Sequence, residues 1–321
     1  MHANEPLVAA LLGEVARHAK QLRKRLRRAM GSHDASPAHR DTAEGVHDAR
    51  TTVRRLRLEL DVLARHVRDS SKIQKIDEGL HALAKALGRV RDQDVLREHA
   101  RQHPGKPHLG ELVHHVDAKR KKEVRRARST LAKGLSLARD LRRPTSLAEA
   151  PRPGKPKAGK VLPVLVGHFT AEEIARAYDA VLAFTTYVEA GDHEVLHKFR
   201  AACRRLRYLL ELFEDATHGA RALVDELHEA QGLLGDLHDL HVAVTRVSKW
   251  LAKGEFEHTR VIDAYVRERA RDDGRLMDAA VKQAQSILGR DFRRRLGAML
   301  FGDTARDLAP ALSGDYPRAA A

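Results

Sequence analysis

A histidine/arginine pattern that occurs twice constrains this chain more than any other feature. Residues 47–57 read HDARTTVRRLR and residues 197–207 read HKFRAACRRLR, so both carry H-x-x-R-x-x-x-R-R-L-R at an offset of 150 residues. A second echo follows each copy: Leu87-Gly88-Arg89-Val90-Arg91-Asp92 corresponds to Leu234-Gly235-Asp236-Leu237-His238-Asp239. A looser match relates Arg120 and Arg126 to Arg269 and Arg275. Packing constrains the apolar positions of a helix, whereas these identities are polar. Several of them in the same order argue for an internal duplication.

The repeated unit is helical. Ala, Leu, Arg and Glu dominate, and apolar residues recur every three or four positions with no sustained alternation. The periodicity predicts helices near 5–30, 43–68, 71–102 and 109–142, then near 164–190, 192–216, 219–252 and 256–300, the last broken at Asp272-Asp273-Gly274. Gly31 to Pro37 and His103-Pro104-Gly105-Lys106-Pro107 separate helices in the first half. The expected fold is all-α, two four-helix bundles of long antiparallel helices related by the duplication. The expected divisions are a first bundle over 1–143, a Pro/Gly-rich linker over 144–160, a second bundle over 161–301 and a tail over 302–321.

On a helix turning about 100° per residue, Arg54, Arg50 and Arg57 fall within roughly 80° of His47, on one stripe roughly 15 Å long. Arg55 flanks it. His197, Arg200, Arg204 and Arg207 repeat the stripe, with Arg205 flanking. The opposite face carries Ala49, Val53, Leu56 and Leu60 in one copy and Phe199, Cys203, Leu206 and Leu210 in the other. An ordinary solvated face mixes signs at i,i+4. Stacked cations repel, and either an acidic neighbour or a bound polyanion must offset the repulsion. Arginine suits the second role, because its planar fork forms paired hydrogen bonds to phosphate and stays charged.

Charge points the same way. Lys and Arg number 59 against 44 Asp and Glu, a net +15, which favours an anionic partner without naming it. Candidates for extending the stripe are Arg17, Lys20 and Lys24 on the first helix, Arg89 and Arg91 beside the Leu-Gly echo, and Lys119, Arg120, Lys122 and Arg126 in the basic run after residue 118.

Other chemistries find less support. Arginines around His47 and His197 repel a divalent cation, and His238, His241 and Asp239 are discounted as a chelate, so no metal and no other cofactor is expected. The motif face lacks a carboxylate pair for Mg²⁺ and the chain lacks a G-x-x-x-x-G-K-[ST] loop, so no catalysis is expected. Aromatic residues make up 4%, a poor supply of stacking platforms for single-stranded nucleic acid, so nucleic acid is expected to bind weakly or nonspecifically. The lone Cys203 sits on an apolar face and reads as structural. The absence of a long apolar run argues against a membrane partner and for a cytoplasmic protein.

The doubled H-x-x-R-x-x-x-R-R-L-R motif, each copy followed by a Leu-Gly…Asp helix, resembles the CHAD domain family, the conserved-histidine α-helical domains. The resemblance runs from about residue 5 to 300. It implies two four-helix bundles about a pseudo-twofold axis with a basic surface, binding of inorganic polyphosphate, and residence in polyphosphate granules. It assigns phosphate contacts to His47, Arg50, Arg54, Arg55 and Arg57 and to His197, Arg200, Arg204, Arg205 and Arg207. Polyphosphate-metabolising proteins are further expected partners. Nucleic-acid binding, or service as an accessory subunit of a polyphosphate-metabolising enzyme, remain the alternatives. Asp236, His238 and His241 stand where the first half has Arg89, Arg91 and Asp94, which implies a less basic second site.

Overall fold

Periodic apolar residues become nine α-helices among the described residues of a computed structural model, and those residues form no extended strand. The described residues are 1–30, 42–103, 109–147, 164–217 and 219–302. The helices are α1 (Leu7–Ala29), α2 (Thr42–Ala64), α3 (Ser71–Gln102), α4 (Gly110–Asp140), α5 (Val166–Leu182), α6 (His193–Leu212), α7 (Ala220–Ala252), α8 (Thr259–Leu288) and α9 (Arg290–Phe301). The chain is all-α, as expected. The expected break at Gly31–Pro37, most of that at His103–Pro107, residues 148–160 of the expected linker and the tail beyond Gly302 lie outside the described residues. Pro144 to Leu147, at the start of that linker, form a 3-10 turn with both end residues buried.

One helix break falls elsewhere than expected. α8 runs unbroken through Asp272-Asp273-Gly274 and stops at Leu288. Asp272 accepts Arg269 at 2.8 Å along the same helix and Asp273 accepts His193 at 2.9 Å, so both carboxylates are engaged without unwinding the backbone. A single mid-helix glycine costs about 1 kcal/mol, and the buried face of Tyr265, Ala280, Ala284 and Ile287 outweighs it. The chain turns instead at Gly289, whose extended backbone (φ −70°, ψ 162°) starts α9.

The chain divides into two compact units, each drawing a short segment from the opposite half. The first comprises 6–163 with 249–264. In it α1 packs on α2, α2 on α3 and α3 on α4, and α4 returns to α1, which closes a four-helix bundle. Leu7, Leu11, Val15, Leu22 and Leu26 form the buried stripe of α1. Gly45 brings α2 onto the last turn of α1, where a Cβ would lie 2.8 Å from the Ala29 backbone nitrogen. Deep between the same helices His18 Nδ1 meets Glu59 Oε1 at 2.5 Å, both side chains almost fully enclosed. Segment 249–264 attaches through α4. Lys119 bonds Glu255 at 2.8 Å, and the His115 ring lies 4.6 Å from Trp250 and 5.0 Å from Phe256. Glu111 accepts the backbone N–H groups of Glu257 and His258 at 2.6 and 3.0 Å, satisfying donors that open at the start of α8. Those bonds hold its carboxyl below the usual range.

The second unit comprises 1–5, 164–248 and the chain from Tyr265 onward. Val166 and Gly167 donate backbone hydrogen bonds to Glu5 and Ala3 at 3.0 and 2.9 Å. α5 packs on α6, and its Tyr178 hydroxyl donates to the Ile287 carbonyl of α8 at 3.1 Å. Asp192 caps α6 by accepting the Val195 N–H at 2.8 Å. No described helix is long and apolar enough to cross a membrane.

Candidate functional site

The predicted core faces of the motif helices are buried. Ala49, Val53, Leu56 and Leu60 of α2, and Phe199, Cys203, Leu206 and Leu210 of α6, have no accessible surface. Burial of those faces fixes the rotation of each helix and leaves the basic stripe partly open. His47 and His197 are exposed, and Arg50, Arg54, Arg200 and Arg204 are half-buried. The flanking Arg55 and Arg205 are half-buried too. Burial also pushes the Cys203 thiol far above its ordinary range, which makes it an inert core group.

In each unit the stripe lies against the helix that carries the Leu-Gly echo. The Arg50 guanidinium rests on Gly88 of α3: a Cβ there would stand 3.4 Å from its Nη1. The same nitrogen approaches Asp92 to 3.9 Å. In the second unit Arg200 rests on Gly235 of α7 more tightly, with Nη2 at 2.7 Å from the corresponding Cβ position. The two glycines are therefore beds for the first arginine of each motif. The sequence echo signalled this contact, but spacing within one helix cannot show that the glycine of the next helix supports an arginine.

The histidines follow the same correspondence. Crowding by surrounding protein atoms and then the Arg91 charge hold the His47 pKa below its ordinary value, with Arg54 and Arg50 adding to the effect and Asp48 opposing it. At the matching place in the second unit His197 stacks on His238, ring centroids 4.2 Å apart. Arg91 and His238 therefore join their stripes. Arg89 does not: it turns to α4 and bonds Glu123 at 3.2 Å.

The last arginine of each motif is a tie to its own bundle. Arg57 donates to both Asp77 oxygens, at 2.7 and 3.0 Å, and these bonds raise its pKa. Arg207 bonds Glu211 at 2.9 Å and lies 3.2 Å from His228. Among the extension candidates, Arg120 is paired with the buried Asp94, Lys119 with Glu255, Arg126 with Glu123 at 2.7 Å, and Arg17 with Glu14. Lys20, Lys24 and Lys122 are exposed. Every arginine of both motifs is half-buried.

Two groups of side chains have metal-ligand composition among the described residues: Glu14 with His18 and Glu59, and His193 with His241 and Asp273. His238 and His241, considered together in the sequence, belong to separate stacks, and the carboxylate beside His241 is Asp273 of α8.

Comparison with known proteins agrees with this architecture. The family model of the CHAD domain matches residues 20–248 and 172–319. The crystal structure of the CHAD domain from the plant Ricinus communis superposes with a TM-score of 0.67 at 21% identity, covering 89% of this chain and 94% of that one. PptA from Streptomyces chartreusis superposes with a TM-score of 0.57 at 15% identity, covering 88% of this chain and 100% of that one. At such identities the likeness is one of fold. No curated protein sequence is matched.

Proposed function

We propose, on the premise that the chain belongs to the CHAD domain family, that its two motif helices bind inorganic polyphosphate and do not turn it over. The observation that carries this reading is the contact made twice, Arg50 on Gly88 and Arg200 on Gly235. A guanidinium held against a helix glycine gives up conformational freedom before any ligand arrives, so less is lost on binding. Arg54, Arg204, His47 and His197 continue each row. A linear phosphate chain presents closely spaced charges and no bases, and a row of cations with few aromatic rings matches those demands. Counterion release makes such binding fall steeply with salt. In a cell this activity places the protein at polyphosphate granules, where it can recruit proteins that metabolise the polymer.

Calorimetry at near-physiological salt tests the reading, with long-chain polyphosphate against the wild type and an Arg50→Ala/Arg54→Ala/Arg200→Ala/Arg204→Ala variant, and duplex DNA as control. Tight binding of polyphosphate, weak binding of DNA and loss of affinity in a variant that stays helical are expected. Equal affinity for DNA, or an unaffected variant, overturns it. Phosphate release from polyphosphate during incubation with Mg²⁺ overturns the non-catalytic part.

A further inference from the structure

We infer that His193, His241 and Asp273 form a binding site for a first-row transition-metal dication of the Zn²⁺ class, separate from the arginine row. The three residues come from α6, α7 and α8 and belong to one compact unit. One potential ligand atom from each lies within 4.8 Å of the others. Two imidazoles and a carboxylate are the donor set that Zn²⁺ and its neighbours accept at three-ligand sites with an open position. Hard cations such as Mg²⁺ and Ca²⁺ prefer oxygen alone.

Three features distinguish the cluster from a structural histidine–aspartate pair. Asp273 accepts His193 Nε2 through Oδ2 at 2.9 Å, while its Oδ1 is buried with no hydrogen-bond partner. An orphaned carboxylate oxygen inside a protein is costly, and a cation bound by this carboxylate relieves that cost. A second imidazole, His241, is laid on the first with centroids 3.7 Å apart. A hydrogen-bonded pair needs no second ring, whereas a chelate does. Finally, the side chains of His193 and Asp273 keep 27% and 17% exposure, which leaves a path for entry. Burial and then the neighbouring His193 hold His241 below its ordinary pKa, with Asp273 opposing. Closing on a metal requires the two rings to splay from their stack and the His193–Asp273 hydrogen bond to give way to two metal bonds.

The site is peculiar to the second half of the duplication. His241 stands where the first half has Asp94, and Asp94 is committed to Arg120. A guanidinium in that place excludes a cation. The other cluster of ligand-type residues, Glu14, His18 and Glu59, is a poorer host because Arg17 bonds Glu14.

The test uses the full chain, stripped of metal with a chelator that is then removed. Titrations with Zn²⁺ and Co²⁺ are followed by calorimetry and, for Co²⁺, by the visible absorption of its ligand field. Because the chain holds 20 histidines, His197→Ala serves as a control for adventitious binding. One equivalent of Zn²⁺ should bind. The affinity should fall about 100-fold or more in His193→Ala and His241→Ala and survive in His197→Ala. Asp273→Asn preserves shape and can still bond His193, so it tests the charge without endangering the fold, and it should lose the Co²⁺ spectrum. Zn²⁺ should also raise the unfolding midpoint of the wild type and leave that of Asp273→Asn unchanged. Stoichiometric binding that survives Asp273→Asn, or no stoichiometric binding in the wild type, overturns the inference. Polyphosphate affinity is measured on the same proteins, so the metal site and the arginine row stand or fall separately.

Discussion

The Arg200 guanidinium lies across Gly235 so closely that a Cβ added to the glycine would stand 2.7 Å from Nη2, whereas the corresponding distance from Gly88 to Arg50 is 3.4 Å. The second contact leaves room for a methyl group and the first does not. Gly235→Ala is therefore expected to separate stability from binding. Removing a mid-helix glycine favours the helix by up to about 1 kcal/mol, and the obstacle is the far end of a flexible side chain that can swing aside. Displaced from its bed, Arg200 loses its orientation, and polyphosphate affinity falls several-fold. Gly88→Ala should leave affinity nearly unchanged. Urea unfolding and calorimetry on the two variants check both halves of the expectation.

Neighbouring arginines of one motif should behave oppositely. Arg57 is held bidentately by Asp77, so Arg57→Ala should lose about 1 kcal/mol of stability, a modest figure because both side chains are about one-third exposed. Its effect on polyphosphate binding should be the smaller one. Arg54→Ala should unfold at the same urea concentration as the wild type and bind polyphosphate several-fold more weakly. If Arg57→Ala proves the more damaging to affinity, the tie is also a ligand contact and the boundary of the site moves down the helix.

Much of this arrangement is legible in the sequence, and the limits have a physical origin. Which face of α2 and α6 is buried follows from a periodicity of 3.6, and the face so chosen has no accessible surface at Val53, Leu56, Phe199 or Cys203. The doubled motif likewise announces two related bundles. What spacing along one helix cannot reveal is a partner on another. Asp77 lies 20 residues from Arg57, and Asp273 closes on His193 from two helices further along the chain. The misplaced break in α8 has the same cause. Asp272-Asp273-Gly274 is a turn signal when read alone, and only the carboxylates' partners show that the polar pair is held in the helix.

Proton linkage should be visible at His47. Its pKa in the free protein lies below the ordinary value of 6.5, through crowding first and then the cations about it. A bound phosphate supplies the opposite charge and raises that pKa, so binding takes up a proton. Affinity should therefore rise as pH falls through the ordinary imidazole range, levelling once His47 is protonated in the free protein too. For the unliganded fold the sign reverses: the depressed pKa makes this group's contribution to stability complete above the unfolded value and lost as pH falls below it. His47→Gln should flatten the pH dependence of affinity, and calorimetry in buffers of different ionisation enthalpy counts the protons.

The enclosed pair of His18 and Glu59 makes a sharper stability prediction. Burial raises the Glu59 carboxyl above its usual range, and the hydrogen bond from His18 opposes that shift. Removing the imidazole strands a carboxyl in the bundle interior, so His18→Ala should cost about 3–5 kcal/mol. Replacing both partners with leucine should cost far less, since no polar group is left behind. Chemical denaturation of the two variants decides it, and equal losses would mean that a stranded carboxyl does not set the cost.

The exchange of short segments between the halves has a consequence for anyone who cuts this protein. The Pro/Gly-rich stretch after Leu147 is where the sequence suggests dividing the gene. A break there does not yield two finished pieces. The upstream fragment departs without Trp250, Glu255 and Phe256, leaving the Glu111, His115 and Lys119 side of α4 bare. The downstream fragment loses the backbone bonds that Ala3 and Glu5 give to the start of α5. A duplication that began as two copies has become a single heritable part, and no one border in the gene separates its bundles intact.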